Sequence, residues 1–188
     1  MIALSELVTL HRGYTLRSTI QRGNEGAIAL IQEKDMRNDG IQPGLQRINL
    51  TRLPKHHFLQ PGDLVLRALG AGNRACVVTP DASGAICLAP LVYLRIHQPA
   101  NLLPAFLAWF INTSRTQALL ARQASKGRER MLTLEDLRKL PLPLPCVERQ
   151  RSVLGISALD SQIAVLNQQL QDKQRLYAEE SLLRFVGA

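Results

Sequence analysis

The chain has 188 residues, 46% hydrophobic and 20% charged, with a net charge of +8 at pH 7. That length suits one medium domain plus an appendage and is enough to bury a core. No run approaches the ~18 apolar residues of a membrane span, and the opening residues Met1 to Glu6 lack the basic and apolar regions of a secretion signal, so neither secretion nor membrane insertion is expected.

Leu4 to Leu10 reads as a short helical turn or a strand that runs into His11-Arg12-Gly13-Tyr14, with Gly13 turning the chain. Ala27 to Ile31 is a compact apolar run, followed by polar Gln32 to Asp35 and the turn signal Asn38-Asp39-Gly40. Gln46 to Leu50 alternates polar and apolar residues as a half-buried strand does. Pro61-Gly62-Asp63 turns into Leu64-Val65-Leu66, a buried strand, and Gly70, Gly72 and Asn73 read as a flexible loop. The segments 75–78 and 85–88 flank Pro80 to Gly84 as a hairpin, and Leu91 to Ile96 supplies one more strand.

Near Pro99 the pattern changes. Leu103, Phe106, Leu107, Phe110, Ile111, Ala118 and Leu119 fall at helical spacing, so one helix over 102–122 is expected to cover the sheet, with Phe106, Trp109 and Phe110 in the core. Residues 125–130 break it. Thr133 caps a short helix over 134–140, with Asp136 at the capping-box position, and Leu140 to Pro145 ends the body. From about Glu148 to about Phe185 runs one amphipathic helix, roughly 55 Å long at 1.5 Å per residue. Ile156, Leu159, Ile163, Leu166 and Leu170 alternate steps of three and four, and Tyr177 returns to the same seam one heptad later. A seam that narrow needs a partner helix.

Residues 1–145 hold 18 Lys and Arg against 10 Asp and Glu, whereas residues 146–188 hold 5 against 5. A basic body on a neutral helix suggests a polyanionic partner for the one and a protein partner for the other. Cys76, Cys87 and Cys146 form no C-x-x-C pair and read as reduced thiols of a cytoplasmic protein.

Catalytic signatures are missing. There is no Asn-Pro-Pro-Tyr or Asp-Pro-Pro-Tyr for amine methylation, no glycine-rich strand-to-helix turn for a cofactor, and no acidic-lysine constellation of a nuclease around Glu33-Lys34 or Asp63. His11, His56, His57 and His97 show no metal-ligand spacing and read as surface or DNA-facing polar groups. The basic positions gather instead around loops. Arg12, Arg17 and Arg22 lie near the first glycines with Tyr14 among them, a residue that either contacts DNA or packs. Lys34, Arg37 and Asn38 flank the first turn, and Arg74 follows the glycine loop. Arginine can read guanine edges and asparagine adenine, so these loops could recognise sequence as well as phosphate. Lys126, Arg128 and Arg130 are either a phosphate clamp or a solvated charged loop.

Taken in order, the Leu-rich opening into Arg12-Gly13-Tyr14-Thr15, the strand leading to Lys34-Asp35, Pro61-Gly62-Asp63-Leu64-Val65-Leu66 with its Gly70 to Gly72 loop, Leu140-Pro141-Leu142-Pro143, and Glu148-x-Gln150 opening a long helix form one pattern. The chain resembles a half-length specificity (S) subunit of type I restriction-modification enzymes. The resemblance implies an α+β fold: a mainly β target-recognition domain with covering helices over 1–145, then a coiled-coil-type dimerisation and spacer helix over 146–188. It implies sequence-specific binding to one half of a bipartite site in double-stranded DNA, without catalysis, in a complex with methyltransferase (M) and restriction (R) subunits. S-adenosylmethionine would sit on the M subunit, and no cofactor is expected on this chain. The family's full subunit has two recognition domains and two helices and this chain has one of each, so it is expected to form a homodimer or to pair with a second half subunit. The reading from another class is a β-rich adaptor whose helix docks a protein partner without touching DNA.

Overall fold

A computed structural model describes residues 1–16, 26–37, 40–50, 53–68, 72–124 and 132–187, and the chain forms two compact units, Met1–Val147 and Glu148–Ala188. The first unit contains, in chain order, β1 (Ile2–Ala3), α1 (Leu4–Leu7), β2 (Val8–Arg12), β3 (Ile28–Ile31), β4 (Met36–Arg37), β5 (Gly40–Ile41), β6 (Arg47–Ile48), β7 (Leu64–Arg67), β8 (Ala75–Val77), β9 (Ile86–Cys87), β10 (Leu91–Ile96), α2 (Pro104–Asn112), α3 (Ser114–Gln123), α4 (Leu134–Arg138) and β11 (Pro141–Leu142). The second unit is made by α5 (Val147–Phe185). Short 3-10 turns lie at Glu33–Asp35, Lys55–His57 and Pro80–Ala82. The fold is α+β.

A four-stranded antiparallel sheet in the order β2-β10-β7-β8 is the centre of the first unit. Five of the six residues of β10 are buried and Arg95 is half-buried, which explains why its sequence reads as a continuous apolar run instead of alternating. The register sets His11, Tyr93, Val65 and Cys76 side by side across the four strands, and Leu10, Leu94, Leu64 and Val77 in the adjacent row. Successive side chains point to opposite faces, so these two rows belong to opposite sides of the sheet. Tyr93, Val65 and Cys76 pack with Ile31, Met36, Leu59, Val78 and Cys87, which brings in the smaller sheet β6-β3-β9. On the helical side α2 packs against β8 and α4 against β2, with Phe106, Leu107, Ile111 and Leu137 buried. Trp109 and Phe110, expected in the core with Phe106, are only half-buried.

Asp63 ties the central strands together. It is 3% exposed, and its carboxylate accepts two hydrogen bonds from the Arg95 guanidinium, Nε to Oδ1 at 2.9 Å and Nη2 to Oδ2 at 2.6 Å. Oδ2 also accepts from Gln60 N at 2.8 Å. Arg95 Nη2 reaches the Phe58 carbonyl at 3.0 Å, so the fork joins β10 to the turn that precedes β7. Gly62 holds that turn at φ +88°, a conformation that costs glycine little, and Gly62 N and Asp63 O bond to Val78.

β8 is an edge strand, and two side-chain amides cap its open edge. Asn112 Oδ1 accepts from Ala75 N at 2.9 Å while its Nδ2 donates to Ala75 O at 2.8 Å. Gln117 does the same for Asn73, accepting from N at 2.9 Å and donating to O at 2.9 Å. Residues 73 and 75 are two apart and face the same way, so the helices occupy the positions a further strand would take and blunt the edge. Arg74, between them, turns its carbonyl inward to Arg67 N at 3.0 Å.

Three expectations from sequence change. The hairpin of 75–78 with 85–88 does not form: β8 pairs with β7, and β9 pairs in parallel with β3, Leu30 opposite Ile86 and Ile31 opposite Cys87. The single helix over 102–122 is two helices, because Thr113 is extended (φ −62°, ψ 143°) and caps α3 through its hydroxyl, which accepts from Thr116 N. Asn73 is not part of a flexible loop, since it is 4% exposed and its Nδ2 also donates to Arg67 O at 3.0 Å. The Thr133 capping box forms as read, with Thr133 N bonded to Asp136 Oδ2 and Asp136 N to Thr133 Oγ1.

Considered by itself, α5 spans 39 residues, or about 58 Å. Ile156, Leu159, Ile163, Leu166, Leu170 and Tyr177 are each between 55% and 74% exposed, as a seam without a partner must be.

Replacing Asp63 with Ala should strand the Arg95 guanidinium without its carboxylate and lower stability by about 3 kcal/mol, read as an earlier urea unfolding midpoint at unchanged slope.

Candidate functional site

An open cleft of about 1250 Å³ is lined by Lys34, Asp35, Arg37, Arg67, Arg74, Asn112 and Gln117, among others. Each charged group arrives by a different local device. The 3-10 turn at Glu33–Asp35 carries Lys34, and Asp35 holds it by accepting from Gln32 N at 2.9 Å. Arg37 lies in β4, opposite Gly40 of β5. Arg67 ends β7, and Arg74 sits between the two amide-capped residues before β8.

The amides of Asn112 and Gln117 look like base-reading groups by type, but their carbonyl and NH₂ ends are already bonded to the backbone of residues 73 and 75. They are scaffolding. The groups free to meet a ligand are cationic: none of Lys34, Arg37 and Arg74 enters an ion pair among the described residues. Arg67 differs, because its Nε lies 3.0 Å from Glu33 Oε1. A cleft of this kind can neutralise phosphates, and its arginines can present paired donors to phosphate or guanine.

A second cluster lies on the Tyr93 side of the central sheet. His11 stacks on Tyr93 with ring centroids 4.7 Å apart and planes 13° from parallel. His56 is 5.8 Å from His11 and 4.3 Å from His57, and His57 meets Tyr14 edge-on at 5.3 Å. The Tyr93 hydroxyl donates to the His56 carbonyl, and burial pushes its phenol up to about 12. His11 is held below its ordinary value by burial first, then by His56 and Arg95, against a smaller opposing pull from Asp63. His57 is lowered by burial, then by His56 and His11. Of the four histidines read from sequence as surface or DNA-facing polar groups, His56 and His97 are exposed, while His11 and His57 are half-buried. His97 is engaged as well, with Nε2 2.9 Å from Thr9 Oγ1.

Of the residues singled out from sequence, Lys34, Arg37 and Arg74 come together in the cleft. Arg12 ends β2, opposite Val92, and Tyr14 is seated against His57, its backbone bridged to Leu88. Arg17, Arg22, Asn38, Lys126, Arg128 and Arg130 lie outside the described residues. Two features were missed. Arg67 reads as the plain end of an apolar strand, and only the register of β7 with β8 carries it to the cleft. His11 and His56 are 45 positions apart in the sequence, so no spacing rule joins them.

No family model and no curated protein matches the sequence. Among solved structures the chain is similar to the HsdS subunit from Thermoanaerobacter tengcongensis, with a TM-score of 0.66 and 20% identity over 88% of this chain and 38% of that one. It is also similar to the type I restriction-modification system S subunit from M. genitalium, with a TM-score of 0.51 and 16% identity over 97% of this chain and 44% of that one. A third similar chain comes from work on complex assembly and conformational transition of the type I R-M system, with a TM-score of 0.61 and 19% identity over 88% and 39%. The chain thus spans less than half the length of each, and what it shares with them at this identity is the fold.

With His11 and His57 held below 6.5, the unfolded chain binds more protons than the folded one once the pH falls past that value. Their stabilising contribution is complete above about pH 6.5 and is lost as the pH drops through the folded values. His11→Phe keeps the ring against Tyr93 and removes one proton site, so its melting temperature should fall less than the wild type's between about pH 7.5 and 5.5.

Proposed function

We propose that this chain recognises double-stranded DNA as the non-catalytic specificity component of a type I restriction-modification system, reading one half of a bipartite site. The observation that carries the reading is the convergence of Lys34, Arg37, Arg67 and Arg74 in one cleft built on a rigid sheet edge. The fold shared with S subunits supports it. The amide-capped edge fixes the backbone at Arg74 and the Asp35-capped turn the backbone at Lys34, and cations on a fixed backbone lose less conformational freedom on meeting phosphate than ones on a mobile loop. Arg12 and Tyr14, and the basic positions outside the described residues, extend the DNA-facing set. Methyl transfer and cleavage belong to M and R partners, with S-adenosylmethionine on the M subunit. The cytoplasm is where such a complex meets DNA.

In this reading α5 pairs with the same helix of a second copy. Burying each Ile or Leu of the seam contributes about 1.5–3 kcal/mol, enough over Ile156 to Leu170 to hold two long helices together. Lys173 and Glu180 occupy the seam on either side of Tyr177, so pairing is firmest in the first half. Two-fold pairing presents two recognition bodies to an interrupted palindrome.

Arg37→Ala with Arg74→Ala should weaken binding to duplex DNA about tenfold or more near 150 mM salt and lower the salt slope by about two; fluorescence anisotropy over a salt series reads both. An unchanged affinity removes the cleft from the interface and favours the adaptor reading. Static light scattering at micromolar concentration should give a dimer for the full chain and a monomer for the Ile163→Asp, Leu166→Asp variant. A monomeric wild type would exclude self-pairing.

A further inference from the structure

Among the described residues, two of the arginine–carboxylate pairs are made between distant parts of the chain, and they differ in kind. Arg95 grips Asp63 with two bonds of 2.9 and 2.6 Å, and the carboxylate is 3% exposed. Arg67 meets Glu33 differently. Its Nε is 3.0 Å from Glu33 Oε1, yet it is buried and makes no hydrogen bond because the N–H points off the acceptor. The other contact is a long one, Nη2 to the Glu33 carbonyl at 3.4 Å. The two side chains are 28% and 43% exposed, and Arg67 lines the cleft beside Arg74. The first pair is a fixed joint. The second is held mainly by charge, is open to water, and leaves most of the Arg67 donors unused among the described residues.

We infer that Glu33 is an internal stand-in for a nucleic-acid phosphate on Arg67, released when DNA enters the cleft. This rests on the DNA-binding reading above and adds a regulatory element to it. A carboxylate and a phosphate offer the guanidinium the same pair of acceptor oxygens, and the phosphate can take the bidentate geometry that Glu33 does not reach. The effect is a threshold: a weak polyanion must displace Glu33 before it gains Arg67, and a well-seated duplex does so at little cost. Glu33 therefore suppresses non-specific binding, and Arg67 contributes to affinity only after the exchange.

The test is a double-mutant cycle on the full chain, titrating a fluorescent duplex of arbitrary sequence over a salt series with melting curves as a folding control. Glu33→Gln should bind about two- to fivefold tighter, and Arg67→Ala more weakly with a salt slope smaller by about one. The double variant should match Arg67→Ala alone. Glu33→Asp retains the charge but draws it back from Arg67, and should give an intermediate gain. No gain from Glu33→Gln in a folded protein overturns the inference, and so does an equal gain in the Arg67→Ala background, which would mark Glu33 as general surface charge. A wild-type chain that shows no salt-sensitive DNA binding near 50 mM salt overturns the DNA reading and this inference with it; the earlier outcomes overturn the inference alone.

Discussion

The carboxylate of Asp63 is the constraint on which the body depends. Its three acceptor contacts reach a strand, through Arg95, and the turn before β7, through Gln60, while its carbonyl receives Val78 N. Taken out of water, an unpaired carboxylate would destabilise the fold by several kcal/mol. Paired in this way it fixes the register of β10 against β7, because only one register places Arg95 over the end of the Pro61-Gly62-Asp63 turn. The stacked Tyr93 and His11 sit one position along the same face, so the histidine cluster inherits its geometry from that ion pair.

From that centre the structure proceeds outward to an edge that is sealed in an unusual way. The amides of Asn112 and Gln117 take both the donor and the acceptor roles of a missing strand, at residues two apart. An edge closed by side chains presents Arg74 between two anchored residues. The rigidity of the fold is thereby delivered to the backbone that carries a cation. By contrast the Arg67–Glu33 contact is loose, and the two kinds of pair lie only a few residues from the two ends of the same strand, β7.

Much of this was legible in the sequence where the signal is local. β3, β7 and β10 appear as short apolar runs between turn residues, and Thr133 with Asp136 announces its helix through adjacent capping groups. The long α5 shows in its three-and-four spacing. What failed was tertiary. The turn at Pro80 to Gly84 has the composition of a hairpin, but β9 finds a better partner in distant β3, where Ile31 and Cys87 complete a shared core. Thr113 lies inside an apolar periodic stretch, and periodicity does not register a single extended residue. In the candidate site, Lys34, Arg37 and Arg74 stood out because loops bearing cations are exceptions to the apolar pattern. Arg67, Glu33 and the histidines gained meaning only from strand register and from approaches across long stretches of chain.

β1 pairs with β11, Ile2 opposite Leu142 and Ala3 opposite Pro141. The body is therefore stitched shut where its chain comes in and goes out, and both passages share one small seam. A module so arranged can be joined in tandem, inserted within another protein or permuted without opening its core, because whatever is attached meets it at a single doorway. Such a body can be exchanged between longer chains as one heritable unit.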